Sequence, residues 1–192
     1  MQQGHSYHIY NHANGSENIF REEENYRFFL RQYDKYLDGV VETYAYCLMP
    51  NYFHLLVGVK EFSDLPGFEN LAGLERIPIT KAFSNFFNSY TKAFNKKDQR
   101  RGSLFIKNFK RKPILTESQW QHAFLYIHLN PIKHGFAVDL EDWKWSSWKA
   151  YQAIEKESLL NRDYYLNFFD GLDHLNQTME SKKEDVMNKE LE

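Results

Sequence analysis

The segment at residues 40–59 constrains the fold of this chain more than any other. Its two halves, VVETYAYCL at 40–48 and FHLLVGV at 53–59, are rich in β-branched and aromatic residues, which favour strands. Only a short Met-Pro-Asn turn separates the halves, so we expect the two strands to pair as a hairpin. A fold for the chain must therefore contain this hairpin and add elements on both sides of it.

The segments on either side of the hairpin show the periodicity of further strands and helices. SYHIYN at 6–11 and SLFIKNFK at 103–110 have the composition of strands. Apolar residues recur at helical spacing at 25–37 and at 80–95, which predicts two amphipathic helices. The hairpin is therefore flanked on each side by one strand and one helix.

A third helix completes a recognisable order of elements. It begins with a capping-box pattern at Thr116, and we expect Pro131 to end it. The order β-α-β-β-α-β-α, without its last helix, matches the ferredoxin-like plait, an α+β fold in which helices flank a central antiparallel sheet. The first and third strands are central in that fold, which would bring His8 close to His54.

Two stretches lack this regular pattern. Residues 60–79 contain two glycines and two prolines and predict a long loop. Residues 176–192, NQTMESKKEDVMNKELE, are charged and lack aromatics, which predicts a frayed or disordered tail.

The distribution of charge is more informative than the net charge of −2, which does not indicate a nucleic-acid-binding protein. Residues 92–112 carry nine Lys and Arg against the single acidic Asp98, with Phe94, Phe105 and Phe109 interleaved. Cations that neutralise phosphates and aromatic rings that stack on bases would suit nucleic-acid contact. A solvated charged surface is the alternative interpretation.

The composition also excludes some classes of site. Cys47 is the single cysteine, which excludes an internal disulfide and a cysteine-based zinc cluster. The first residues, MQQGHSYHIY, contain no apolar signal-peptide core, and we find no apolar run long enough to span a membrane. A soluble cytoplasmic protein is therefore expected.

Two pairs of polar residues are candidates for chemistry. Tyr126 and Asn130 are four residues apart and share one face of the third helix. Tyr52 and His54 are two residues apart and share one face of a strand. On pattern alone, packing roles for Tyr126 and His54 and a helix-terminating role for Asn130 remain open.

Seven segments between about residue 6 and about residue 152, in this order, resemble the IS200-type single-tyrosine (Y1) transposases, particularly the REP-associated tyrosine transposase branch. On this resemblance we expect a Y1 domain at 1–152 and a C-terminal helical extension at 153–175. The segments are YHIYNHANGSENIF, YAYCLMPNYFHLLV, FSNFFNSYTKAFNK, RRGSLF, FKRK, YIHLNPIKHGF and DWKWSSWKAY.

The resemblance implies an HUH nuclease that cleaves and rejoins single-stranded DNA, often near a hairpin. It assigns Tyr126 as the nucleophile that forms a 5′-phosphotyrosine intermediate. His54 and Asn130 would be ligands of a divalent metal, Mg²⁺ or Mn²⁺. Tyr52 stands where the family has the first histidine of its metal-binding pair, so the metal site is degenerate at this position.

The resemblance and the basic segment together imply DNA as the partner, without a membrane, and a cytoplasmic location associated with the bacterial nucleoid. A homodimer and a monomer both remain open. The residues that we expect to contact DNA are His8, Asn11, His12, Arg100, Arg101, Lys107, Lys110, Arg111 and Lys112.

Three candidate functions are consistent with the sequence. The first is a metal-dependent single-strand DNA nuclease and strand transferase that acts through Tyr126. The second is a catalytically impaired or domesticated DNA-binding relative, which the substitution at Tyr52 favours. The third is an RNA-binding plait, although its central strands lack a convincing ribonucleoprotein aromatic pattern.

Overall fold

The computed structural model describes residues 1–61 and 78–189, so most of the loop predicted at 60–79 lies outside the described residues. Short 3₁₀ helices lie at Leu140–Asp142 and Asp163–Asn167. The strands and α-helices of the described residues are β1 (Ser6–His12), α1 (Glu23–Leu37), β2 (Val41–Met49), β3 (Tyr52–Val59), α2 (Ile79–Lys97), β4 (Lys110–Ile114), α3 (Glu117–Lys133), α4 (Trp148–Gln152) and α5 (Leu172–Lys189).

The four strands form one antiparallel sheet in the order β2-β3-β1-β4. This order confirms the ferredoxin-like plait, with the first and third strands at the centre. The hairpin of β2 and β3 is also confirmed. Within the β1–β3 ladder, Tyr10 lies opposite His54 and His12 lies opposite Tyr52.

Alternation along the strands gives the sheet two different faces. Ile9, Phe53 and Leu55 are buried in a core that includes Phe29 of α1 and Phe86 of α2. The neighbouring residues on β1 and β3, which include His8 and His54, point to the opposite face. There α3 covers the β2 side of the sheet with Trp120, Phe124 and Ile127.

The fourth strand lies later in the chain than the sequence predicts. Residues 103–109 form a loop instead of the expected strand at 103–110, and Asn108 has a φ of 62° that a strand does not accommodate. The strand starts at Lys110 and contains Pro113. Proline and lysine are both tolerated at a sheet edge, where one side of the strand needs no ladder partner.

Helix α3 continues through Pro131 to Lys133, so the prediction that Pro131 ends it was wrong. A proline removes one backbone hydrogen bond but allows the turn that follows it to form. The helix ends at Lys133, and Gly135, two residues further on, has a φ of 68° that suits a residue without a side chain. The extra turn leaves Asn130 inside the helix and fully buried.

The tail is helical up to Lys189, so the predicted disorder of 176–192 was wrong for residues 176–189. Leu175 and Met179 are four residues apart, fully buried, and part of the same apolar cluster as α3. Two apolar residues on one face therefore anchor an otherwise charged helix. The domain boundary at residue 152 stays a prediction. In the described part of the chain, no helix has the length and apolar character needed to cross a membrane.

Candidate functional site

A cleft of about 790 Å³ opens beside α3 on the face of the sheet opposite α1 and α2. Strand alternation directs His8, Tyr10 and His12 of β1 into it. Tyr52 and His54 of β3 line the same cleft from the neighbouring strand. The cleft thus contains most of the polar and aromatic residues on this face of the sheet.

The predicted proximity of His8 and His54 is confirmed by a hydrogen bond of 2.9 Å between His8 Nε2 and His54 Nδ1. Burial, with Lys112 nearby, lowers the pKa of His8 to about 4. Burial, with His8 as the next cause, lowers the pKa of His54 to about 2. Both imidazoles are therefore neutral near pH 7, and one donates its N–H to the other.

A second hydrogen bond joins β3 to α3. The Tyr52 hydroxyl donates to Asn130 Oδ1 over 2.9 Å, and Asn130 Nδ2 donates to the Tyr126 carbonyl over 3.2 Å. Burial raises the pKa of the Tyr52 phenol, so it remains protonated and able to donate. Asn130 is thus held by bonds at both its oxygen and its nitrogen.

Tyr126 lies in the cleft and is half-buried. Its ring centroid is 5.4 Å from that of His54 and 6.0 Å from that of His8. Lys133 Nζ lies 5.1 Å from the centre of the Tyr126 ring, and the His122 ring lies 6.4 Å away. Lys133 and His122 were not identified from the sequence, although their spacing of seven and four residues from Tyr126 places them on the same helix face.

Two more histidines flank Tyr52 at the edge of the cleft. The His12 ring centroid is 5.0 Å from that of Tyr52, and the His134 ring centroid is 5.6 Å from it. His12 is exposed and is therefore accessible to a ligand in the cleft. His134 was not identified from the sequence because it follows the end of α3.

The residues expected to hold a divalent cation do not fit one. His54 bonds His8 through Nδ1 and so leaves only Nε2 as a possible ligand. Asn130 Oδ1 accepts a hydrogen bond from Tyr52, and the Tyr52 phenol is protonated. A divalent ion needs several unprotonated ligands directed at one point. Within residues 1–61 and 78–189, no three His, Cys, Asp or Glu side chains form a group that could hold a metal.

The basic residues predicted to contact DNA divide between two sides of β4. Lys112 lines the cleft, with its Nζ 6.0 Å from the centre of the Tyr10 ring. Lys107, Lys110 and Arg111 line a separate groove beside α2. Arg101 is exposed in the loop that precedes β4.

Two of the predicted DNA contacts are engaged inside the protein. Arg100 donates to Glu17 Oε2 over 2.6 Å and to the Ser103 carbonyl over 3.0 Å, and its side chain is only 16% exposed. Asn11 is buried and donates to the Ile106 carbonyl over 3.0 Å. These contacts favour structural roles for both residues in holding the loop before β4.

Comparison with known proteins supports the resemblance found in the motifs. A curated protein of Haemophilus influenzae named as a REP-associated tyrosine transposase is 31% identical over 109 residues, which cover 55% of this chain. The match spans 58% of the length of that relative. No protein-family model matches the chain.

The fold is also found among solved structures. A REP-associated tyrosine transposase bound to a REP hairpin matches with a TM-score of 0.59 and 18% sequence identity. The match covers 82% of this chain and 85% of that structure. The chain thus resembles REP-associated tyrosine transposases in sequence and has the same fold.

Proposed function

We propose that this protein binds single-stranded or hairpin DNA in the cleft beside α3, and that it does so without a bound metal. In these terms it is a DNA-binding relative of the REP-associated tyrosine transposases. The similar solved structure is bound to a REP hairpin, which supports DNA as the partner. The hydrogen bond between Tyr52 and Asn130 is the observation that carries the metal-free assignment.

The chemistry of the cleft suits a nucleic acid. Tyr10, His12 and Tyr126 supply aromatic rings that can stack on unpaired bases. Lys112 supplies a cation for a phosphate, and no acidic residue occurs among the described residues that line the cleft. A cleft with these properties favours a polyanion that carries flat rings over a cationic or purely apolar ligand.

A second candidate function is strand cleavage by Tyr126, which its position beside the His8–His54 pair favours. In that reaction the phenol oxygen would attack phosphorus and the bond from phosphorus to the 3′ oxygen would break. The phenol would lose its proton to a base, and the departing oxygen would gain one to become a 3′-hydroxyl. A neutral imidazole has the chemistry of such a base.

Fluorescence anisotropy tests DNA binding. The probe is a pool of fluorescein-labelled DNA hairpins with a constant stem and randomised loops and flanks, titrated with protein in EDTA. We expect binding, and Lys112→Gln should weaken it several-fold because one phosphate contact is lost. Lys149→Gln removes the same charge from an exposed site outside the cleft and should leave binding unchanged. Equal effects of the two substitutions would contradict binding in the cleft.

Denaturing gel electrophoresis separates the two candidate functions. The same hairpin pool is incubated with the protein in Mn²⁺ and in EDTA, and a covalent adduct would migrate more slowly than free DNA. We expect no adduct from the wild-type chain in either condition. An adduct that disappears in Tyr126→Phe would instead establish the second candidate function, strand cleavage by Tyr126.

A further inference from the structure

A second groove lies on the other side of β4, between α2 and residues 102–111. Its volume is about 910 Å³, and it is separated from the Tyr126 cleft by the edge of the sheet. Thr80, Ser84, Asn88 and Thr91 line its α2 wall. Their spacing of four, four and three residues places these short polar side chains on one helix face.

The opposite wall of the groove is cationic. It carries Lys107, Lys110 and Arg111, and the described residues that line the groove include no Asp or Glu. None of these three cations forms an ion pair with a described residue, whereas nearby Lys97 and Arg100 pair with glutamates. The positive charge in the groove is therefore not neutralised by the described part of the protein.

One of these cations is held in place by an aromatic ring. The Arg111 guanidinium lies 5.8 Å from the centre of the Phe109 ring. Phe109 packs in turn on Phe83 and Phe87 of α2, with ring centroids 5.3 and 5.4 Å apart. This packing reduces the side-chain entropy that Arg111 would lose when it binds an anion.

Strand β4 directs cations to both sides of the sheet. Lys112 lies opposite His8 and lines the Tyr126 cleft, whereas Arg111 lies opposite Ile9 on the α2 side. Because β4 is an edge strand, a polymer can pass over it from the cleft into the groove. A single nucleic-acid strand that crosses this edge would meet cations along its whole path.

We propose that the groove between α2 and residues 102–111 binds the phosphate backbone of the single-stranded DNA that flanks the part held in the cleft. Cations, hydroxyls and amides are the groups that proteins use for phosphate contacts, and such contacts carry little sequence information. The groove therefore adds affinity for flanking DNA of any sequence. This proposal rests on the proposed DNA binding in the cleft.

The test compares two hairpin pools by anisotropy in EDTA, one blunt and one with single-stranded flanks of about ten nucleotides on both ends, which is within the range of known single-strand sites. We expect the wild-type chain to bind the flanked pool more tightly. The double variant K107Q/R111Q should lose this gain but still bind the blunt pool. The slope of log Kd against log salt for the flanked pool should fall by about 1.4, since each single-strand phosphate contact contributes about 0.7.

The control double variant is K92Q/K96Q, which removes two exposed charges from α2 outside the groove. It should keep the gain from the flanks, and circular dichroism melting should give both double variants the stability of the wild type. Blunt-pool binding without a gain from the flanks would overturn the groove proposal alone, as would equal losses in the two variants. Failure of the wild-type chain to bind either pool would overturn both proposals.

Discussion

The substitution Tyr52→Phe tests the hydrogen bond from Tyr52 to Asn130, which engages the oxygen atom that was expected to bind a metal. It removes one hydroxyl and retains the ring that packs beside His12 and His54. Asn130 is fully buried, so its Oδ1 would lose its donor without access to solvent. A buried acceptor without a partner costs about 1–3 kcal/mol, and each kcal/mol lowers the melting temperature of a chain of this size by about 2–4 °C.

Urea denaturation measures this loss directly, and Tyr10→Phe is the matched control. Tyr10 lines the same cleft, and its hydroxyl makes no hydrogen bond within the described residues. We expect Tyr10→Phe to change the free energy of unfolding by less than about 0.5 kcal/mol.

A double-mutant cycle of Tyr52→Phe with Asn130→Ala then gives the coupling energy of the pair. Residues in direct contact couple by about 0.5–3 kcal/mol. Equal destabilisation by Tyr52→Phe and Tyr10→Phe, together with a coupling energy near zero, would refute the bond between Tyr52 and Asn130. It would also refute the metal-free assignment that depends on this bond.

Three further effects follow from burial elsewhere in the molecule. Burial lowers the pKa of His128 from 6.5 to about 3, so the folded state keeps it neutral while the unfolded state gains a proton below about pH 6.5. The contribution of His128 to the free energy of unfolding is therefore complete above about pH 6.5 and is lost as the pH falls towards 3. His128→Gln should make the decline of the free energy of unfolding with falling pH, measured by urea denaturation, shallower. An unchanged decline would contradict this expectation. In α5, Met179→Ala should cost about 2–5 kcal/mol because the side chain is fully buried, whereas the exposed Met187→Ala should change stability by less than about 0.5 kcal/mol. Equal melting temperatures of these two variants would argue against a packed α5. Arg100→Ala should lower the free energy of unfolding by about 1–3 kcal/mol because its charged hydrogen bonds are lost, whereas Arg101→Ala should have little effect on stability. A lower melting temperature for Arg101→Ala than for Arg100→Ala would show that Arg100 is not structural.

The parts of the fold that depend on local periodicity could be predicted from the sequence. The hairpin follows from two β-rich segments and a short turn, and the order of elements then places the first and third strands together. This arrangement was enough to predict the contact between His8 and His54. Helical spacing likewise placed Tyr126 and Asn130 on one face of α3.

The features that the sequence did not reveal depend on tertiary contacts or on weak local signals. Strand β4 consists mainly of lysine, arginine and proline, and only its position at the sheet edge allows that composition. The role of Arg100 depends on Glu17, which lies 83 residues earlier in the chain. Helix α5 is anchored by Leu175 and Met179, which are too few to predict a buried face in a charged segment.

The hydrogen bond of Tyr52, at the centre of the site, is another tertiary contact that could not be predicted from the sequence. The resemblance to the transposase family implied that Tyr52 replaces a metal-binding histidine. It could not reveal that the phenol would donate to Asn130, because that bond joins residues 78 positions apart on different elements. The structure thus shows that Asn130, an expected metal ligand, is engaged in a hydrogen bond within the protein.

Hairpin binding in EDTA and in Mn²⁺ tests the central claim most directly. We assign the DNA affinity to the cations and aromatic rings around Tyr126, with no contribution from a metal. The anisotropy titration of the hairpin pool should therefore give the same Kd in both conditions. A Kd that improves strongly in Mn²⁺, or binding that occurs only when Mn²⁺ is present, would contradict the account.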